Sequence, residues 1–118
     1  MDPDTGFVKV LNYWVVEDCG RVINPQLVAE QHRGSVIHGL GDALYEHSIY
    51  DHNGQLQNAT MADYLVPMAG EMPDVSIEHV VTPTTKSSLG AKGAGESGMA
   101  GVPPVSYTHL TLPTSDLV

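Results

Sequence analysis

Residues 89–101 read LGAKGAGESGMAG, running from Leu89 through Lys92 and Glu96 to Gly101. Glycine recurs at 90, 93, 95, 98 and 101. Without a Cβ, such a stretch can adopt positive φ and bring bare backbone N–H groups against a ligand. One carboxylate, Glu96, stands among small uncharged neighbours, and a carboxylate that loses solvation becomes a better proton acceptor. The stretch therefore offers a surface for an anionic cofactor and a candidate general base. The same composition also describes a flexible linker with a solvated glutamate.

The formal motif inside it misleads. Gly93, Gly95 and Gly98 satisfy the G-x-G-x-x-G dinucleotide pattern. That pattern has meaning only directly after a strand, opening a helix, with an acidic residue about twenty positions on. Here Pro83, Thr84, Thr85, Lys86, Ser87 and Ser88 precede it and Pro103 and Pro104 follow. A P-loop fails as well, because no Gly-Lys-Ser/Thr triplet is present.

Working outward, 118 residues allow one domain with a modest core. A net charge of −9 argues against nucleic acid or an anionic membrane as partner. One cysteine, Cys19, leaves no internal disulfide framework. No apolar run approaches the roughly 20 residues of a membrane span, and the N-terminus is acidic rather than a basic leader. A cytoplasmic protein is expected. Prolines and glycines crowd the second half, as in a segment that wraps a cofactor rather than closing its own core.

In chain order, Asp2, Pro3, Asp4, Thr5 and Gly6 form a turn into a strand over 7–17, rich in β-branched and aromatic residues. Its apolar residues occupy both parities, which predicts cover on both faces. Cys19 in the following turn is expected to be a small buried filler, having no second cysteine or paired histidine nearby. Asn24 and Pro25 then signal a helix start, with a helix running to about Glu46. Gln31, Gly34, His38, Gly41 and Tyr45 recur on one face, and Leu27, Ile37, Leu40 and Leu44 line an adjacent stripe. Two glycines on one face cost helix propensity of about 1 kcal/mol each. Either a ligand or backbone approaches there, or two helices pack tightly.

His32, His38, His47, His52 and His79 lack the paired spacing of a zinc site and read as core or surface histidines. Residues 51–54, DHNG, make a turn between two short extended pieces, and 64–67 is another extended piece stopped by Pro67. Residues 74–81, DVSIEHVV, alternate as a half-buried strand. The order is strand, long helix, short strands and glycine-rich loop, an α+β arrangement.

These segments together resemble a known family. The run from Val16 to Pro25 (VEDCGRVINP), Gln31 to Gly34, the HGLG of 38–41 followed by ALYE, Asp63, Tyr64 and Pro67, and the GAKGAGESG of 90–98 are similar to the xanthine dehydrogenase/aldehyde oxidase family. The match is to the C-terminal molybdopterin-binding region of the large subunit, a group that includes carbon-monoxide-dehydrogenase-type chains. It covers about Asp2 to Pro104, with His38 where relatives carry Gln or His. The resemblance implies part of the second molybdopterin-binding domain over 1–104, in a molybdenum hydroxylase acting on an aldehyde, an N-heterocycle or a similar small substrate. It implies Glu96 as the base that deprotonates the hydroxide nucleophile at molybdenum, with hydride passing to a sulfido ligand. Gln31 matches a glutamine near the apical oxo group, and Lys92, Gly93, Ala94 and Gly95 match the segment wrapping the pterin. No residue here is expected to ligate the metal. The implied cofactor is Mo-molybdopterin, in its cytosine dinucleotide form, with 2Fe-2S and FAD on partner subunits or further domains. Isolated, the segment is expected to be inactive. The other expectation is a non-catalytic α+β binding or assembly module whose glycine loop packs against a partner.

The tail departs from the family, whose members continue as an alanine- and valine-rich helix. Residues 105–114, VSYTHLTLPT, resemble the translated read-through of a transposon adapter used in sequencing libraries. Residues 105–118 are therefore expected to be a non-native tail, and Tyr107 and His109 are given no role. Met1 likewise resembles a start inside a longer gene.

Overall fold

The computed structural model describes residues 1–115, with side chains described through Thr108. Strand β1 spans Asn12–Glu17, helix α1 Pro25–Leu44, strand β2 Asp74–His79 and helix α2 Val102–Ser115, with a 3₁₀ turn at Ala69–Glu71 before β2. The fold is α+β, as the sequence predicts.

The two strands pair in parallel, in register from Asn12 opposite Asp74 to Glu17 opposite His79. Parallel neighbours need a crossover of a dozen residues or more, and α1 supplies it. The start of α1 follows its sequence signal. The Asn24 side chain accepts from the Leu27 N–H at 3.2 Å, and Pro25 opens the first turn. The end comes two residues early: the Tyr45 N–H still makes the helical bond to the Gly41 carbonyl, but the Glu46 N–H donates to that same oxygen instead of continuing the ladder. Glu46 instead accepts from the Tyr64 hydroxyl at 2.6 Å, a bond that pushes the Tyr64 hydroxyl above its ordinary value.

The expected turn at 51–54 is present, flanked by an antiparallel bridge between Tyr50 and Leu56. The strand expected over 7–17 begins only at Asn12, and the one expected over 74–81 ends at His79. Cover on both faces of β1 is not found. Trp14 is 71% exposed and Val16 64% exposed, while Tyr13 and Val15 face the core. Among the described residues, only one face of this two-stranded sheet meets a helix.

The core is small. Val36 and Leu40 of α1, Val75 of β2 and Val102 of α2 form it, with Cys19 buried nearby in sequence to β1. The buried stripe of α1 is thus His32, Ser35, Val36, Gly39 and Leu40, rotated from the predicted one; Leu27 is exposed. Gly39 allows α2 to approach: a Cβ there would lie 2.7 Å from the Val102 Cβ. Of the face predicted from Gln31 to Tyr45, Gly41 packs tightly on Pro67, but Gly34 meets nothing within 4 Å. The Cα radius of gyration is 17.7 Å, above the roughly 13–14 Å of a closed domain of this length. Helix α2 passes through the predicted boundary at Pro104 without a break; Pro103 and Pro104 sit in its first turn, where proline costs no internal hydrogen bond. His109 lies outside the residues whose side chains are described.

Candidate cofactor site

The glycine-rich stretch is held from two sides. On the strand side, Gly20 bridges Ala91 in antiparallel fashion, the Lys92 N–H donates to the Cys19 carbonyl at 2.7 Å, and the Arg21 N–H to the Gly90 carbonyl at 3.0 Å. Gly20 and Gly90 both take positive φ (68° and 72°), and a Cβ on Gly20 would stand 2.4 Å from the Gly90 carbonyl oxygen. Neither turn accepts an ordinary side chain without distortion.

Asp18 completes this anchor. One carboxylate oxygen accepts from the Gly20 and Thr82 N–H groups at 2.9 and 3.1 Å, and the other from the Lys92 ammonium at 2.9 Å. The Lys92 charge, followed by these backbone donors, holds the Asp18 carboxyl well below the usual carboxylate range.

On the helix side, the Gln31 Nε2 donates to the Gly95 carbonyl at 2.6 Å, and the single Ser35 hydroxyl proton is shared between the Gln31 carbonyl at 2.8 Å and the same Gly95 oxygen at 3.0 Å. Ser97 Oγ lies 3.2 Å from His32 Nε2. At Gly98 a Cβ would stand 3.0 Å from the His32 carbonyl oxygen and 3.1 Å from the Ser35 Cβ, so the loop rests directly on α1.

Between the anchors the chain is bare. The N–H groups of Gly93, Ala94, Gly95 and Glu96 have no acceptor among the described residues. The peptide between Gly95 and Glu96 is planar and trans, so its N–H points opposite to its C=O. With the Gly95 carbonyl fixed toward α1, the Glu96 N–H faces away from the helix. Gly93 and Gly95 have φ outside the positive range, and a Cβ on either would meet nothing within 4 Å. Neither conformation nor packing within this chain demands glycine at these two positions.

The predicted residues are therefore brought together, with two qualifications. Glu96 is exposed, so the desolvation its neighbours suggested is not supplied by this chain. Lys92 is occupied at both its N–H and its ammonium, so it anchors the loop rather than presenting donors from it. Sequence reasoning missed Asp18, His32 and Ser97 as loop anchors; the only available hint was that His32 and Ser97 directly follow Gln31 and Glu96. A cavity of about 420 Å³ is lined by Val8, Val10, Tyr13, Trp14, Leu40 and Leu44 among others, and by no residue of the glycine loop. No described helix is long and apolar enough to cross a membrane.

Residues 1–73 match the molybdopterin cofactor-binding domain family. The nicotine 6-hydroxylase large subunit of Paenarthrobacter nicotinovorans is 44% identical over 103 residues, 87% of this chain and 13% of that protein. The carbon monoxide dehydrogenase large chain of Hydrogenophaga pseudoflava is 34% identical over 125 residues, 96% of this chain and 16% of that protein. Among solved structures, the Cu,Mo-CO dehydrogenase superposes with a TM-score of 0.90 at 31% identity, covering 97% of this chain and 14% of that one. Quinoline 2-oxidoreductase from Pseudomonas putida 86 gives 0.79 at 42% identity, covering 83% and 12%. The chain thus spans about an eighth to a sixth of the length of these relatives. It belongs to the molybdopterin cofactor-binding domain family and corresponds to a segment of the large subunit of molybdenum hydroxylases of the xanthine dehydrogenase/aldehyde oxidase type.

Proposed function

We propose that this segment supplies one wall of a Mo-molybdopterin site and its general base, Glu96, in an enzyme that hydroxylates a small substrate oxidatively. The observation that carries the reading is the bare span from Gly93 to Glu96. Its free N–H groups, and glycines that nothing in this chain requires, fit the close approach of a polar, anionic group. A loop serving only to pack against α1 would account for Gly98, but not for Gly93 and Gly95.

When bound, the molybdenum–pterin group supplies the two-electron oxidising chemistry. The chain's own residues bind and orient. Gly93, Ala94 and Gly95 offer N–H donors to the cofactor's polar atoms. Gln31 acts one step removed, by fixing the Gly95 carbonyl and hence the direction of the Glu96 N–H. Lys92 holds the start of the span through Asp18. Glu96 accepts the proton at a carboxylate oxygen, within a cavity that other parts of the large subunit close.

Two relatives named for N-heterocycles, nicotine and quinoline, match at 44% and 42%, and the aldehyde oxidoreductase PaoC of Escherichia coli at 35%. This supports an N-heterocycle ahead of an aldehyde. The reading includes the cytosine dinucleotide form of the cofactor and electron transfer to iron–sulfur and FAD subunits. It also places the enzyme in the cytoplasm, where the free thiol of buried Cys19 persists. Residues 105–118 fall outside the domain of 1–104 as adapter-derived sequence.

The test is Glu96→Gln in the complete enzyme, with anaerobic reduction of the metal centre by substrate and molybdenum content measured on one sample. Glutamine keeps size and reach but accepts no proton at neutral pH. Removing a general base costs on the order of 10²–10⁴ in rate, so reduction slows at least about a hundredfold at unchanged molybdenum content. Wild-type reduction rates would remove Glu96 as the base, and lost molybdenum would make it structural.

A further inference from the structure

Two histidines, His32 on α1 and His79 at the end of β2, sit ring to ring, with centroids 5.5 Å apart and planes inclined at 44°. His32 is wholly buried, and the Nδ1 atoms of both rings are buried with no hydrogen-bond partner among the described residues. A buried polar atom left without a partner is unfavourable, and an apolar side chain of similar size would fill the space without that penalty. Packing alone gives no reason for a histidine at position 32. Its other nitrogen does: Nε2 meets the Ser97 hydroxyl at 3.2 Å.

Ser97 belongs to a tight turn that starts at Glu96, closed by the Met99 N–H donating to the Glu96 carbonyl at 3.1 Å. The two central residues of that turn are Ser97 and Gly98. Ser97 bonds the His32 ring, and Gly98 lies against the His32 carbonyl. Glu96 is the turn's first residue, so the direction in which its side chain leaves the backbone follows from how those two residues dock. We infer that His32 is a positioning residue for Glu96, acting through Ser97, with His79 packed behind the ring. It touches neither cofactor nor substrate.

The consequence for turnover rests on the reading of Glu96 as the base; the consequence for loop order does not. Both are measured in the complete enzyme, on Ser97→Ala, Ser97→Thr, His32→Leu and His32→Gln, beside Glu96→Gln. Ser97 is exposed, so its variants report even where a change at buried His32 hinders folding. In Ser97→Ala and His32→Leu, backbone amides of 93–101 exchange with deuterium on the order of tenfold faster. The kcat falls on the order of tenfold or more, as for a slightly misplaced catalytic group, while KM stays within about twofold. Ser97→Thr and His32→Gln keep a group able to hydrogen-bond and recover most of both losses. Unchanged exchange in Ser97→Ala and His32→Leu overturns the inference, as does failure of the conservative pair to recover. If loop exchange rises as expected while Glu96→Gln turns over normally, the positioning stands and the base assignment falls. If Glu96→Gln is inactive while loop exchange is unmoved, the base stands and the positioning falls.

Discussion

Two glycines of α1 allow the packing of this fold to be tested against a built-in control. Gly34 and Gly39 both lie inside the helix, so replacing either with alanine gains the same helix propensity, about 0.5–1 kcal/mol. Their surroundings differ. A Cβ at Gly34 meets nothing within 4 Å, whereas at Gly39 it would stand 2.7 Å from the Val102 Cβ, 2.9 Å from its Cγ2 and 3.1 Å from the Met99 carbonyl oxygen. Val102 is fully buried and cannot swing away. Overpacking of this kind costs about 1–3 kcal/mol. Propensity cancels in the comparison, so Gly34→Ala exceeds Gly39→Ala in stability by that same 1–3 kcal/mol or so. Urea titration followed by far-UV circular dichroism reads the difference as separated midpoints at a common slope. A Gly39→Ala midpoint equal to or above that of Gly34→Ala would refute the close approach of α2 to α1, and with it the placement of Met99 and the glycine loop.

The double grip on the Gly95 carbonyl predicts non-additivity. In Gln31→Leu the Ser35 hydroxyl can turn from the residue-31 carbonyl wholly to Gly95, and in Ser35→Ala the Gln31 amide remains, so either single variant costs about 0.5–1.5 kcal/mol; the double variant loses both donors, with a coupling of about 0.5 kcal/mol or more in a double-mutant cycle. Strict additivity would show that the two donors do not share one acceptor. At Asp18 the folded carboxyl titrates below the unfolded one, so its contribution is fully present above the ordinary value of about 3.9 and is lost as pH falls toward the folded value. Lys92→Met removes the ammonium beside the carboxylate, and a carboxyl-carbon NMR titration then finds Asp18 shifted upward toward its ordinary range. An unmoved Asp18 titration would mean that the backbone donors alone hold it.

Much of this was legible because local chemistry carried it. The Asn24–Pro25 start of α1, the turn at 51–54, the alternation of β2 and the burial of Cys19 each follow from residues within a few positions of one another. What escaped depended on distant partners. The stripe Leu27, Ile37, Leu40 and Leu44 has helical spacing, but Val102 and Val75 select Val36 and Leu40, and no pattern inside α1 reveals that choice. Apolar residues on both parities of β1 suit a sheet with neighbours on either side, and the described residues provide a helix on one side only. In the site, glycine spacing marks 93–98 and the family pattern marks Gln31. The bond between Gln31 and Gly95 spans sixty-four positions, as only the fold can arrange. His32 was one of several histidines without metal spacing, and spacing carries no information about a ring whose partner is a serine sixty-five residues on.

The distribution of anchors leaves the span between them without hydrogen-bond partners among the described residues. The turn after β1 grips Gly90, Ala91 and Lys92, and α1 grips Gly95, Ser97 and Gly98. Each such bond contributes about 0.5–1.5 kcal/mol net, while ordering each backbone residue costs about 1–2 kcal/mol. The anchors can therefore select the path of the loop without rigidly fixing every residue along it. Among the described residues, Gly93 and Ala94, which lie between the anchors, have no hydrogen-bond partner, and the N–H groups of Gly95 and Glu96 have none either. A ligand that supplies acceptors along this span meets donors whose directions are already biased by the fixed Gly95 carbonyl, so it loses less freedom on binding than it would against a free linker. Glycine at 93 and 95 has the complementary effect of keeping side chains out of the approach. An arrangement fixed at both ends and bare in the middle is what the proposed cofactor-binding role requires, and on the same proposal the carboxylate that follows, Glu96, takes its direction from the helix side rather than from the loop itself.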